Sequence, residues 1–253
     1  MVGFPVEMTE AGLSRAAQAY LASCTPSSLD AVDLICLVRD PSGGEVRIAL
    51  RKRTGGAAEL KAMNPGFAGE GRAQVQVVSD ASDAALRPFE ITLSARFVGE
   101  ATPLVVELAD PTEAAKLPPG TKATIDIAAF TFEPHIFADE AAYYADQAKQ
   151  GGKLRFAANY FIPTGMFLKS AGGEMPDGAT RPVAYADFAG KVLKSELRAN
   201  QAGSGRFWWA LVQTYDGTTI DVVVDPNALV EAPKPGAIIA GRYWLSARLA
   251  PGT

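Results

Sequence analysis

The chain has 253 residues, 48% hydrophobic and 21% charged, room for one large or two modest domains with a real core. Its net charge of −4 and isoelectric point of about 5.2 argue against strong non-specific DNA binding, which needs many phosphate-neutralising Lys and Arg. No apolar run approaches the roughly 18 residues of a membrane span, and residues 1–10 lack the basic region and apolar core of a signal peptide, so the cytoplasm is the expected compartment.

Residues 9–22 read as a helix. Thr9 can cap it, Leu13, Ala16, Ala17, Tyr20 and Leu21 share a face, and Pro26 lies beyond its end. A hairpin follows, with an apolar strand at 32–39, turn chemistry in Asp40-Pro41-Ser42-Gly43-Gly44 and a return at 46–50. Cys36 in its first strand reads as a buried small hydrophobe, with a bond to Cys24 as the alternative; no Cys-x-x-Cys spacing suggests zinc. Arg51-Lys52-Arg53 reads as a solvated strand end. Residues 54–71 read as a loop, whose glycines lack the phosphate-binding order. Strands are expected at 73–78, 89–98 and 104–108. Leu117-Pro118-Pro119-Gly120 then turns into a strand at 123–132, where Ile125, Ile127 and Ala129 alternate with Thr124, Asp126 and Ala128.

A second helix is expected at 135–150, with Asp139 and Glu140 near its start and Gly151-Gly152 at its end. A strand at 154–161 precedes a stretch rich in Gly, Pro and small residues, which places a domain boundary near 170–182. This divides a β-rich barrel or sandwich with two helices (1–175) from a small barrel (176–253). The second part opens with a strand at 191–197 and a flexible loop at 200–205. Two strands then flank Asp216-Gly217, a strong local hairpin signal. A short helical turn or loop at 226–230 and Pro235-Gly236 lead to a last strand at 238–249. The fold class expected is mostly β with a few helices, in two barrel-like domains. There is also an internal echo: a strand, Asp110-Pro111, Gly120 and a long strand, then a strand, Asp225-Pro226, Gly236 and a long strand. Ordinary turn chemistry met twice accounts for it, as do two related barrels in tandem.

Residues 187–249 resemble an OB-fold in the strand opened by Gly190, the hairpin over Asp216-Gly217, the link at 226–230, and the strand entered through Pro235-Gly236 with Gly241 inside it. The resemblance implies a five-stranded barrel. Four strands are legible, and the fifth comes from upstream or from the length of the last strand. The segment is also similar to parts of bacterial proteins of unassigned function, so the likeness implies no activity.

The candidate binding residues are Trp208, Trp209, Tyr215, Tyr243 and Trp244 with Arg206, Arg242 and Arg248. Alternate strand residues share a face, so Phe207 and Trp209 point one way and Trp208 the other, and Tyr243 and Trp244 split likewise. These rings either fill the barrel and the seam between domains, or meet a protein partner or a second copy, or stack the bases of single-stranded nucleic acid or a glycan. His135, the sole histidine, reads as a polar surface residue, and no Gly-x-Ser-x-Gly accompanies it. Asp216, Asp221 and Asp225 read as solvated strand-face and turn residues; the alternatives are acid–base chemistry or a hard cation. No catalytic residue, metal or cofactor is expected. The leading expectation is a non-enzymatic binding or assembly module acting through the C-terminal aromatic and basic residues on a protein partner or itself. Single-stranded nucleic-acid binding is the alternative, and a carboxylate-dependent hydrolase a further one.

Overall fold

The computed structural model describes residues 9–30, 33–54, 58–100, 102–131, 133–150, 154–166 and 182–251. The chain is mostly β. It opens with helix α1 (Glu10–Leu21) and strands β1 (Thr25–Ser28), β2 (Asp33–Arg39), β3 (Gly44–Lys52) and β4 (Ala58–Phe67). Four longer strands follow: β5 (Ala73–Asp80), β6 (Thr92–Phe97), β7 (Pro103–Leu108) and β8 (Lys122–Thr131). Then come β9 (His135–Phe137), helix α2 (Glu140–Lys149) and β10 (Phe161–Ile162), and last β11 (Tyr185–Ala199), β12 (Arg206–Gln213), β13 (Thr219–Val224) and β14 (Ile238–Leu249). Thr9 caps α1 as expected, its hydroxyl accepting from the Gly12 N–H at 3.1 Å. The Asp-Gly hairpin also forms, with Asp216 and Gly217 at φ 50° and 72°, a conformation glycine and aspartate reach more easily than other residues.

Three expectations are corrected. Residues 58–67, expected in a loop, form β4. Pro65 sits there without cost because β4 pairs with β3 alone and its other edge needs no N–H donor. The expected helix at 135–150 starts only at Glu140, under an Asp139 cap, because residues 135–137 pair with β14 instead. The expected strand at 154–161 shrinks to Phe161–Ile162, which pairs with β11.

Eight strands, β5–β8 and β11–β14, close into a barrel. Inside that ring β8 and β14 also pair with each other, from Ile125↔Leu249 to Ala129↔Leu245. The pairings therefore trace two five-strand circuits that share this ladder. One runs β5–β6–β7–β14–β8 and the other β11–β12–β13–β8–β14. They match strand for strand. Each has a three-strand meander, a 3-10 turn opened by Asp-Pro (Pro111–Lys116 and Pro226–Ala228), and a long strand that returns antiparallel to the first. In each, the third strand pairs in parallel with the long strand of the other circuit, β7 with β14 and β13 with β8. The echo in the sequence is thus an echo in the topology. The boundary expected near 170–182 falls mostly on residues outside the described set. The parts on its two sides are not independent, since each borrows a strand from the other.

Alternation gives β8 and β14 an inner and an outer face. Ile127, Ala129, Tyr243 and Leu245 point into the barrel core, while Ala128 and Phe130 point out. That outer face continues through Phe207, Trp209 and Leu211 of β12 and Val223 of β13. It is covered by a second, antiparallel sheet, ordered β1–β2–β3–β4, together with α1. Val46, Ile48, Leu50, Met63 and Phe67 of that sheet pack against it, with Ala17 and Tyr20 of α1. Cys36 is fully buried and bonded to Cys24, with the Cα atoms 5.7 Å apart, so it is not the free hydrophobe first expected. Among the described residues no helix is long and apolar enough to cross a membrane.

Candidate functional site

The eight residues expected to form one aromatic and basic surface do not form one. Trp209 is buried beneath the β1–β4 sheet. Its Nε1–H donates to Asp221 Oδ1 at 2.7 Å, and the Arg198 guanidinium lies 4.0 Å above its ring. Tyr243 is fully buried inside the barrel, stacked on Phe188 at 3.9 Å, and burial pushes its hydroxyl well above the ordinary tyrosine range. Trp208 turns the other way, half-buried against the barrel core. Trp244 lies half-buried 5.4 Å from the Phe130 ring. Tyr215 donates its hydroxyl to Glu100 at 3.1 Å. Two of the arginines are paired: Arg242 bidentately with Asp187 at 2.9 and 3.2 Å, and Arg248 with Glu45. Arg206 is exposed. Alternation split the rings as expected, but the face carrying Phe207 and Trp209 is roofed by the chain's own sheet.

Asp221 is another correction. It was expected in solvent and is 1% exposed. Its carboxylate accepts from Trp209 and from the backbone N–H groups of Glu70 (3.1 Å) and Gly71 (2.8 Å), so it anchors the strand-to-strand loop at 68–71. A Cβ on Gly69 would lie 2.3 Å from that carboxylate, which is why glycine stands there. Burial raises the Asp221 pKa, and those hydrogen bonds pull the other way. Nearby Asp126 is pushed up to about 6, first by burial and further by Asp221, although Arg72 donates to it at 2.6 Å. Glu45 with Arg248, and Glu107 with Arg47 and Asn64, extend this polar seam between sheet and barrel. Its members are occupied with one another, and the seam fastens the sheet in place. Asp216 and Asp225 do lie at exposed turns, and Asp225 accepts from the Asn227 N–H at 2.8 Å.

An open concavity with exposed apolar side chains around it lies elsewhere, at the Ile238–Ala240 end of β14. A cleft of about 590 Å³ is walled by β9, α2, residues 154–160 and residues 229–231. The wall at 154–160 has almost no ladder of its own. It is held to α2 by Gln147, whose side-chain oxygen accepts from the Phe156 N–H at 2.8 Å while its amide donates to the Phe156 carbonyl at 3.0 Å. Tyr143 donates to the Ala157 carbonyl at 3.4 Å, and Tyr144 accepts from the Ala158 N–H at 3.3 Å. The cleft is therefore preformed. Four rings line it in two pairs: Phe137 edge-on to Tyr143 at 5.2 Å, and Phe156 tilted over Tyr160 at 4.9 Å. Leu154 (78% exposed), Phe156 (40%) and Val230 (102%) hold apolar surface in solvent around it. His135 is exposed at its wall, in keeping with a polar surface role. Among the described residues no group of His, Cys, Asp or Glu could hold a metal ion.

None of these residues except His135 was singled out in the sequence. The available signal was the clustering of Tyr143-Tyr144, Phe156 and Tyr160-Phe161 within one short stretch. No protein-family model matches the chain, and no curated protein matches it either.

Proposed function

We propose that this protein is a non-enzymatic binding module that seats a short apolar segment of another protein in the cleft between β9, α2 and residues 229–231. The observation that carries the reading is the exposure of Leu154, Phe156 and Val230 around one preformed concavity. Exposed apolar side chains scattered singly are ordinary on a folded surface, but a group of them around a cleft marks a contact site. The expectation of a protein partner is kept and its place moves from the C-terminal aromatics to this cleft. The circuit β11–β12–β13–β8–β14, with a 3-10 turn between its third strand and β14, supports reading the C-terminal part as OB-like, β8 being the fifth strand. The roof over Phe207 and Trp209 counts against single-stranded nucleic acid, since those rings cannot stack bases beneath it. The engagement of Asp221 and Asp225 in anchoring and turn hydrogen bonds counts against a hydrolase built on them. The Cys24–Cys36 bond supports an oxidising compartment rather than the cytoplasm expected from residues 1–10.

Panning a random peptide library on the intact protein, with counter-selection on a Leu154→Asp/Val230→Asp variant of unchanged circular dichroism, tests the reading. Peptides that bind the native chain and lose about tenfold or more in affinity on the variant are expected. Recovery of peptides that bind both proteins equally would place the contact elsewhere and end the proposal.

A further inference from the structure

The cleft has a charge as well as a shape. Asp146 on α2 and Glu231 beside Val230 both line it, as does His135, and among the described residues no lysine or arginine does. Asp146 accepts from Gln150 at 2.7 Å through one oxygen, an uncharged partner, and neither carboxylate has a cationic partner among the described residues. Elsewhere on this molecule carboxylates near arginine are paired: Asp33 with Arg51, Asp187 with Arg242, Glu45 with Arg248. Here two acids without an ion-pair partner among the described residues stand beside four aromatic rings. Ring faces carry negative potential and attract an organic cation, and carboxylates at the rim add to that attraction. The two side-chain amides of the lining are already used, Gln147 on the Phe156 backbone and Gln150 on Asp146.

Building on the docking function proposed above, we infer that the segment seated in this cleft is anchored by a basic side chain, arginine or lysine. Its charged head lies among Phe137, Tyr143, Phe156 and Tyr160, with Asp146 and Glu231 at the rim. Its aliphatic neighbours rest on Leu154 and Val230. The anchor's stem is itself apolar, so one residue satisfies both the rings and the acids. Guanidinium suits the site better than ammonium, because a planar, weakly hydrated cation stacks on a ring while donating to a carboxylate.

The test uses two blocked tripeptides, acetyl-Leu-Arg-Leu-amide and its citrulline counterpart, which has nearly the same shape without the charge. Each is titrated into the intact ¹⁵N-labelled protein. The arginine peptide is expected to shift the amides of Phe137, Gln147 and Ala240 saturably. It should bind about tenfold or more tightly than the citrulline peptide, and that advantage should shrink at high salt. An Asp146→Asn/Glu231→Gln variant should remove the advantage, and Glu231→Gln alone, at an exposed position, should reduce it without touching the fold. Equal binding of the two peptides at the cleft would overturn the cationic anchor and leave the docking function standing. Shifts at the cleft from neither peptide would overturn the anchor, and failure of the library selection as well would remove the docking function with it.

Discussion

Asp126 and Asp221 both contribute to the pH dependence of the fold. In the folded chain burial pushes the Asp126 pKa up to about 6, against 3.8 for a free aspartate, with Arg72 opposing it. Between those values the folded chain holds a proton that the unfolded chain has lost. Its stabilising contribution is therefore complete below the unfolded value and disappears as the pH rises through about 6. Glu90, Glu113 and Asp221 are displaced in the same direction, each chiefly by burial. The melting temperature should accordingly rise as the pH is lowered from about 8 to about 5. Asp126→Asn should flatten that slope and raise stability at the alkaline end, as scanning calorimetry across the interval will show. A melting temperature that falls steadily over the same range would mean that the ion pair with Arg72 outweighs the cost of burying the carboxylate.

At the scale of elements, α1 is joined to the rest of the chain by apolar packing and by one covalent bond. Cys24 follows its last turn and Cys36 sits at the middle of β2. A link across so short a loop restricts the unfolded chain by about 2–4 kcal/mol. Reduction should therefore lower the denaturant midpoint, and Cys24→Ser should do the same without a further effect of reductant. The native protein should titrate with no free thiol; two thiols per chain under non-reducing isolation would remove the bond from the account. Legibility in the sequence also varied by element. β5, β7, β8 and β14, the 213–219 hairpin and α1 were readable because alternation, a capping Thr9 and turn dipeptides act locally. β4 was not, since Pro65 and a register shift opposite Ala49 and Leu50 break its alternation. β1, a four-residue strand containing Pro26, left no pattern at all. The candidate cleft was hidden because its walls come from residues 134–150, 154–160 and 229–231, and only folding brings them together. The burial of Asp221 was hidden for the same reason: its partners Glu70 and Gly71 lie some 150 positions away.

For the whole molecule, the exchange of β8 and β14 between the two circuits makes the halves interdependent. A chain ending at residue 166 keeps β5–β8 but loses the strand that lies between β7 and β8. It should show poor amide dispersion and no cooperative unfolding, while co-expression with residues 182–253 should restore both. If the shorter fragment instead unfolds cooperatively on its own, the boundary read near residue 175 divides real domains.

The shared ladder also bears on how the protein is made. β8 leaves the ribosome long before β14, and until β14 is synthesised the first circuit has no means of closing. During that interval the facing edges of β7 and β8 stay unpaired, a state in which nascent chains seek the wrong neighbours. Translation speed between the two strands, and the chaperones that meet the growing chain, therefore act on the yield of this protein.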